Sequence, residues 1–481
     1  MREHIMLQYQ FLFLITFLYL GIFPETNFFA EEISPGSAER FGGEFRKNWM
    51  PERPVDESLL KQNGIRRLES KHLTLYTDLP ASEQVDNLPT LFDQLIPLLC
   101  HYFELNHRHY ETFKVEGFLI DDFEKFQQGG AVHQVPELRH GYALRCRIWV
   151  RNPDSEYYRR HLLLHEGVHT FMGYAFGVWG PPWYREGTAE LLATHLWENK
   201  RLTAARFPKS RNELSGWGRI EIVRNDFTKN RFRTIQNVFE LESEDYDENT
   251  AYGWSWAFAA FCENHPRYQT AFRQTAWKLY GKPDSIAKHF TELLIKKIQN
   301  ESPEWNKQEI MDHLDNDWLD FITNLDYGYD FERTRIDYDK NIQPFSAISA
   351  KEIQCQIQTD KGWQSSGIRL EQGKTYRFTA SGRFQLAEKP KIWYSEPNGI
   401  TLRYYHSIPI GTLLATLIPD KTENFAPKKE TTGIGFSMPK NFGYGEVWTP
   451  EVSGELFFRI NDFPSELSDN NGSVTVKLTV N

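Results

Sequence analysis

Residues 165–169 read HEGVH, inside a stretch over 157–174 whose apolar residues recur at helical spacing. Residues four positions apart lie one above the other on a helix, so the imidazoles of His165 and His169 can bind one metal ion. Glu166 lies beside that face, where it can take a proton from a metal-activated water. The pattern predicts a hydrolytic metal site. The alternative is a helix whose two histidines bind no metal.

A zinc ion that activates water needs a third protein ligand and one open coordination position. The chain continues with PPWYREGTAE over 181–190, and its two prolines suit the first turn of a second helix. We expect Glu186 to be the third ligand, and Glu190 on the same face to accept a hydrogen bond from a ligating histidine. Glu190 as the ligand itself is the alternative. His161 is expected to pack at the helix entrance, because a fourth protein ligand would close the site.

H-E-x-x-H followed by W-x-x-E-G-x-A-E resembles the gluzincin zinc metallopeptidases, and within them the peptidase MA-like family of exported bacterial proteins. The resemblance covers residues 67–325 and implies a zincin-like α+β fold and a peptide or protein substrate. It also implies a catalytic base at Glu166 and zinc ligands at His165, His169 and Glu186.

The aminopeptidase branch of the gluzincins has a tyrosine that stabilises the oxyanion at the start of a later helix. Tyr252 occupies a comparable place in this sequence, and an ordinary core aromatic is the alternative reading. The Gly-x-Met-x-Asn strand with which that branch binds the substrate's amino terminus is absent, which argues against aminopeptidase specificity. Residues 253–257 approach a G-x-S-x-G nucleophile elbow, but they lack the second glycine and the preceding strand, so we expect no serine nucleophile.

The first thirty residues have the character of an export signal. Arg2 and His4 precede an apolar run over 11–23, which is shorter than the ~20 residues that a membrane helix needs. We therefore predict a secretory signal peptide over 1–30, export to the periplasm or the outside, and no stable membrane insertion after cleavage. An uncleaved N-terminal anchor is the alternative. Export would allow pairing among the four cysteines, Cys100, Cys146, Cys262 and Cys355.

The composition is that of a globular protein with an acidic balance. The chain has 481 residues, of which 55 are Lys or Arg and 65 are Asp or Glu, for a net charge of −10. A nucleic-acid-binding protein needs a basic surface, so we expect no nucleic-acid partner.

Hydrophobic periodicity divides the chain into two domains. We predict a leader over 31–66, then an α+β domain over 67–325, with strands near 73–76 and 144–150 and a helix over 88–103. A linker follows over 326–353. Residues 354–481 show period-two runs separated by turn residues, as in 376–380, 456–460 and 474–480, which predict an all-β sandwich.

Residues 461–473 read NDFPSELSDNNGS and, with Trp363, Gly367 and Gly373, resemble the calcium-dependent galactophilic lectins of the LecA type. The resemblance implies a glycan partner and a calcium ion, with ligands at Asp462, Glu466, Asp469 and Asn470. Glu466 and Asp469 replace a threonine and an asparagine of the family. Their added charge favours calcium but can disturb a sugar that shares the ion. A solvated turn is the alternative.

Together these patterns predict an exported, zinc-dependent peptidase with a C-terminal module that binds calcium and carbohydrate. Two alternatives stay open. One is a non-catalytic glycan-binding protein whose zincin domain is a scaffold. The other is a zinc hydrolase of a non-peptide bond, because H-E-x-x-H reports activation of water rather than the substrate.

Overall fold

The structure is a computed structural model that describes residues 49, 54–133, 135, 138–280, 282–339, 341–347, 352–420 and 432–480. The predicted signal peptide lies outside the described residues, as does most of the predicted leader. Within the described part the N-terminal half is mainly helical and the C-terminal part is rich in β-strands. This order agrees with the predicted succession of an α+β part and a β part.

Helices supply most of the N-terminal half. The α-helices are α1 (Glu57–Gln62), α2 (Glu83–Asp86), α3 (Leu88–Tyr102), α4 (Phe123–Gln128), α5 (Glu156–Phe176), α6 (Pro182–Ala193), α7 (Arg219–Thr228), α8 (Ile235–Phe239), α9 (Asn249–Asn264), α10 (Gln269–Gln274), α11 (Pro283–Glu301), α12 (Lys307–Thr323) and α13 (Phe331–Thr334). Short 3-10 helices lie at His107–Tyr110, Arg211–Glu213, Ser243–Asp247, Thr275–Lys278, Phe345–Ala347 and Leu467–Asp469.

A five-stranded sheet supports these helices. Its strands are β1 (Arg66–Glu69), β2 (Leu73–Thr77), β3 (Val115–Ile120), β4 (Gly141–Leu144) and β5 (Arg147–Arg151). The order is β1-β2-β3-β5-β4, with β2, β3 and β5 parallel and the two edge strands antiparallel to their neighbours. A separate two-stranded ribbon is formed by β6 (Leu196–Glu198) and β7 (Arg201–Thr203).

Both faces of the five-stranded sheet are covered, because alternate side chains of a strand point to opposite faces. Leu73 and Leu75 join the main core with residues of α3 and α5. Tyr76, Phe118 and Trp149 form a second core with residues of α1 and α4. A sheet buried on both faces explains why every residue of β2 is buried.

The strand predicted over 144–150 is confirmed for residues 147–150, but its beginning is wrong, because a turn separates β5 from a second strand that ends at Leu144. β4 ends at Leu144 and β5 begins at Arg147, and Arg145 between them has a φ of 51°, in the left-handed region. The apolar alternation continues across the turn, so periodicity alone does not reveal the reversal. The reversal places β4 at the edge of the sheet, beside α5.

The C-terminal part contains two facing sheets. Its strands are β8 (Gln343–Pro344), β9 (Glu352–Gln358), β10 (Gln364–Leu370), β11 (Tyr376–Ser381), β12 (Phe384–Ala387), β13 (Trp393–Ser395), β14 (Asn398–Tyr405), β15 (Ile408–Pro419), β16 (Lys440–Asn441), β17 (Val447–Trp448), β18 (Gly454–Ile460) and β19 (Ser473–Val480). One sheet has the order β14-β15-β18-β10-β8, with β16 beside β15, and the other has the order β17-β11-β19-β9. Strands β12 and β13 form a separate pair.

The two sheets share one apolar core. Phe378 of β11 packs near Phe458 of β18, with ring centroids 6.5 Å apart, and Leu478 pairs across the sheet with Phe378. Residues in β11 alternate strictly between buried and exposed. The three period-two runs of the sequence are therefore confirmed as strands.

The predicted linker over 326–353 is a packed segment in its described part. Tyr329, Ile336 and Tyr338 are buried in the main core. The hydroxyl of Tyr338 donates to Asp317 of α12 at 3.0 Å, while its ring packs against Phe457 of β18. The segment therefore joins the two halves through shared core contacts.

Two further findings bear on the sequence predictions. All four cysteines are free thiols, and three of them are buried, so no disulfide forms in the structure. Within the described ranges, no helix is both long and apolar enough to span a bilayer.

Candidate metal centre

Helix α5 brings three histidines to one buried face. Ser155 caps this helix, because its hydroxyl accepts a hydrogen bond from the Tyr158 amide at 3.2 Å. His161, His165 and His169 follow at one helical turn each, and all three are buried. The spacing aligns His165 and His169 as the motif predicts, and His161 lies one turn before them on the same face.

Helix α6 carries Glu186, the predicted third metal ligand. Pro182 occupies its first position, and Gly177 ends α5 in the left-handed conformation, with φ 75°, so the chain can turn back. The two helices pack against each other. This reversal places a carboxylate of α6 opposite the histidines of α5.

Three ligand atoms converge between the two helices. The Nε2 atoms of His165 and His169 are 3.0 Å apart, and Oε2 of Glu186 lies 3.3 Å from the first and 3.2 Å from the second. Tetrahedral zinc bonds of ~2.0–2.1 Å require ligand atoms about 3.3–3.4 Å apart. The residues present therefore fit a zinc ion held by three protein ligands, which leaves a fourth position open.

Glu190 lies behind this triangle, on the other side of the His165 ring. Its Oε1 is 3.4 Å from Nδ1 of His165, and its Oε2 is 3.3 Å from Nε2 of His161. Arg219 donates to both carboxylate oxygens, at 3.0 and 2.9 Å, and Trp217 donates to Oε2 at 3.3 Å. Although His161, His165 and Glu190 also lie close enough to hold a metal, the carboxylate already accepts a forked guanidinium. The position fits a carboxylate that orients His165.

Glu166 is buried, lines the same cleft as the three candidate ligands and lies in contact with strand β4. A Cβ at Gly141 would lie 2.3 Å from Oε1 of Glu166, so a larger residue at this position would displace the Glu166 side chain. Burial raises the pKa of Glu166 to about 7, and His165 opposes the rise. Burial acts in the same direction on Glu186, yet His169, His165 and Arg185 hold the pKa of Glu186 well below its ordinary value.

Tyr252 faces the same cleft from the first turn of α9. Its ring centroid is 6.2 Å from that of His165, and the Arg219 guanidinium lies 5.2 Å from the Tyr252 ring. The side chain is only partly buried. Ser255, in the rejected G-x-S-x-G pattern, is instead buried inside α9 and hydrogen-bonded to the Tyr246 hydroxyl.

The cleft has a volume of about 350 Å³. Strand β4 forms one wall, and Trp179, Arg185 and Tyr252 join the metal-facing residues on the others. Sequence reasoning missed Arg185, Arg219 and Trp217. Arg219 lies 29 residues beyond Glu190, outside both motifs, so the sequence holds no signal that links the two.

The predicted calcium loop is only partly assembled. The Nδ2 atom of Asn470 donates to Oδ2 of Asp462 at 3.1 Å, and Oδ1 of Asn470 is buried with no hydrogen-bond partner among the described residues. Glu466 instead accepts a forked pair of hydrogen bonds from Arg403, at 2.7 and 2.9 Å. Asp469 accepts from the backbone amide of Glu388 at 3.2 Å. Calcium ligation by all four residues stays a prediction.

Neither a protein-family model nor a curated protein matches the sequence. A solved structure described as the N-terminal domain of EclA, a PllA-like lectin, aligns with 27% of this chain and 98% of its own length. The sequence identity is 15% and the TM-score 0.21. A likeness at that TM-score carries no conclusion about fold or ligand.

Proposed function

We propose that the protein is an exported zinc-dependent peptidase with a zincin-like N-terminal domain of the gluzincin type. The observation that carries the proposal is the triangle formed by Nε2 of His165, Nε2 of His169 and Oε2 of Glu186, with edges of 3.0 to 3.3 Å. Two imidazoles and one carboxylate with an open position form a ligand set typical of catalytic zinc.

Each nearby side chain has a role in the proposed reaction. Zinc, when bound, polarises water and the scissile carbonyl group. Glu166 accepts the proton of the attacking water and delivers it to the leaving amine. The hydroxyl of Tyr252 donates a hydrogen bond to the carbonyl oxygen as negative charge develops there. Glu190, held by Arg219, fixes the orientation of the His165 ring.

The edge strand of the cleft supports a peptide substrate over a non-peptide one. Strand β4 pairs with β5 on one side and has no second strand partner among the described residues. An extended peptide can add to such an edge through main-chain hydrogen bonds. The cleft therefore offers a main-chain binding surface directly beside Glu166.

Metal content and peptide hydrolysis together test the proposal. We expect about one zinc per chain in the purified protein by mass spectrometry, and loss of zinc in His165→Ala and Glu186→Ala. Glu166→Gln should keep the zinc but lower kcat for peptide hydrolysis by about 10²–10⁴-fold, because it removes the general base. A Glu166→Gln variant with normal activity, or a well-folded wild type that cannot be loaded with zinc, would refute the mechanism.

A further inference from the structure

Arg185 brings a positive charge into the cleft. It directly precedes Glu186 on α6, and its Nε donates to Oε1 of Glu186 at 2.7 Å, while Oε2 of the same carboxylate faces the two histidines. The side chain of Arg185 is 26% exposed. Its two terminal nitrogens have no acceptor among the described residues, although the guanidinium offers five N–H donors. Four donors therefore stay available at the cleft surface.

The histidine and glutamate side chains that line the cleft already have a role in the proposed reaction, as metal ligand or as base. Its carboxylates are Glu166 and Glu186, the proposed base and the proposed ligand. Strand β4 reads Gly-Tyr-Ala-Leu over 141–144 and contributes no acid. Among the described residues that line the cleft, no carboxylate is left to pair with the ammonium group of a substrate. Among the described lining residues, the Arg185 guanidinium is therefore the charged group left to pair with the substrate, which favours an anionic substrate group near the scissile bond.

The position of Arg185 limits where that anionic group sits. The Arg185 guanidinium donates to Oε1 of Glu186, and Oε2 of the same carboxylate faces the two histidines. The positive charge of Arg185 therefore lies one hydrogen bond away from a proposed metal ligand. In a peptide, three bonds separate the scissile carbonyl carbon from the carboxylate carbon of a C-terminal residue, a span of about 3–4 Å. A carboxylate on the residue that follows the scissile bond is therefore within reach of Arg185.

We propose that Arg185 binds the C-terminal carboxylate of the substrate, which makes the protein a carboxypeptidase that releases one residue at a time. The inference rests on the proposed function. The C–N bond of the last peptide link breaks, the hydroxyl of water joins the carbonyl carbon, and its proton passes through Glu166 to the leaving amine. Arginine suits this role, because its planar fork can donate two parallel hydrogen bonds to a carboxylate.

The first test compares three peptides that share the same sequence up to the last residue. One ends in a free carboxylate, one in an amide, and one in an aspartate whose main-chain carboxylate is amidated. We expect kcat/KM for the free acid to exceed that for the amide by at least about tenfold, the effect of one charge-assisted contact. In Arg185→Met this ratio should fall to about one, whereas Arg211→Met, a matched change far more exposed, should leave it unchanged.

The second test measures binding without turnover. Zinc-loaded Glu166→Gln should bind the fluorescent free acid more tightly than the amide in fluorescence polarisation, and the double variant with Arg185→Met should lose the difference. Zinc content is measured for every variant, because Arg185 contacts Glu186. Equal binding of the acid and the amide by Glu166→Gln would overturn the role of Arg185.

The outcomes separate the two proposals. If wild type hydrolyses no peptide although it holds zinc, the proposed function fails, while the binding assay still decides the role of Arg185. Hydrolysis of the amide as fast as the acid would overturn the carboxypeptidase inference alone. Equal preference for the aspartyl amide and the free acid would show that the recognised carboxylate belongs to a side chain, and would also overturn it.

Discussion

His165 lies between two carboxylates that contact different nitrogens of its ring. Nε2 is 3.3 Å from Glu186, and Nδ1 is 3.4 Å from Glu190. Arg219 holds Glu190 with a forked pair of hydrogen bonds, so that carboxylate has a fixed position. A carboxylate at the far nitrogen of a ligating histidine sets its tautomer and raises its basicity as a ligand. In the proposed zinc site, the chain Arg219–Glu190–His165 would therefore orient Nε2 of His165 toward the metal.

Loss of this support should weaken metal binding without removing a proposed ligand. We expect Glu190→Gln to lower zinc affinity by about 10–100-fold, the usual effect of removing such a carboxylate. Competition with a chromogenic chelator measures this change. The matched control is Glu213→Gln, an acid outside the histidine cluster that pairs with Arg206. Unchanged zinc affinity in a folded Glu190→Gln variant would contradict the assigned role.

Three elements must meet to build the cleft. Helix α5 presents the histidines, α6 returns to present Glu186, and β4 passes beside Glu166. Close approach of α6 and α9 needs a glycine, because a Cβ at Gly187 would lie 2.6 Å from the carbonyl oxygen of Ser255. That contact brings Tyr252, on the first turn of α9, to the cleft.

The loop over 461–473 packs on the helical half. A Cβ at Gly328 would lie 3.2 Å from the Cβ of Ser465, and the 3-10 helix Leu467–Asp469 contacts α13. Burial raises the pKa of Asp462 to about 7, and the negative charges of Glu466 and Asp469 add to the rise. The buried carboxyl of Asp462 accepts a hydrogen bond from Nδ2 of Asn470, and Oδ1 of Asn470 has no hydrogen-bond partner among the described residues, which supports the predicted cation site.

Calcium should therefore stabilise the protein if the loop binds it. We expect a saturating calcium concentration to raise the Tm of the zinc-loaded protein by a few degrees, because binding to the folded state alone adds about 2.7 kcal/mol at 100 times Kd. Asp462→Asn should lose this response, whereas Asp360→Asn, outside the four predicted ligands, should keep it. Magnesium serves as the ionic control. If calcium does not change the Tm of the wild type, the loop is a structural turn that binds no calcium.

At the scale of the whole molecule, the helical half and the sandwich share a polar contact inside their apolar junction. Oδ1 of Asp320 accepts from Nε1 of Trp363 at 3.1 Å and from Nδ2 of Asn324 at 2.9 Å. The hydroxyl of Tyr405 donates to Asn324 at 2.8 Å. Burial raises the pKa of Asp320 to about 6, and Arg459 opposes the rise.

The carboxyl of Asp320 should make the free energy of unfolding depend on pH. Unfolded Asp320 titrates near 3.8, so between pH 4 and 6 the folded state keeps a proton that the unfolded state has lost. The free energy of unfolding therefore falls as pH rises through this range. Asp320→Asn removes this titrating group. Between pH 4 and 7, the free energy of unfolding of the variant should therefore rise relative to that of wild type by up to about 3 kcal/mol.

Urea unfolding of both proteins across this pH range measures the difference, with the exposed Asp247→Asn as the control. A difference between Asp320→Asn and wild type that stays constant with pH would contradict the assignment. So would a wild type that gains stability over the variant as pH rises.

The amino-acid sequence is enough to predict which side chains of α5 and α6 share a face. Helical spacing is a local property, so His165, His169, Glu186 and Glu190 follow from the covalent geometry of two short segments. The period-two runs of the sandwich are local in the same way and became strands. Such reasoning predicted one strand where the structure has the β4–β5 hairpin. It missed the turn because the apolar alternation continues across it.

The surroundings of those side chains depend on contacts between residues that are far apart in the sequence. The contacts of Arg219 with Glu190 and of Trp363 with Asp320 join residues 29 and 43 positions apart, and such pairings depend on how whole helices pack. The same packing buries residues of the predicted linker and leaves the cysteines as free thiols. It also turns the guanidinium of Arg185 toward the cleft and that of Arg403 onto Glu466. The burial of a side chain and the charges around it depend on its neighbours in space, and these neighbours are often far away in the sequence.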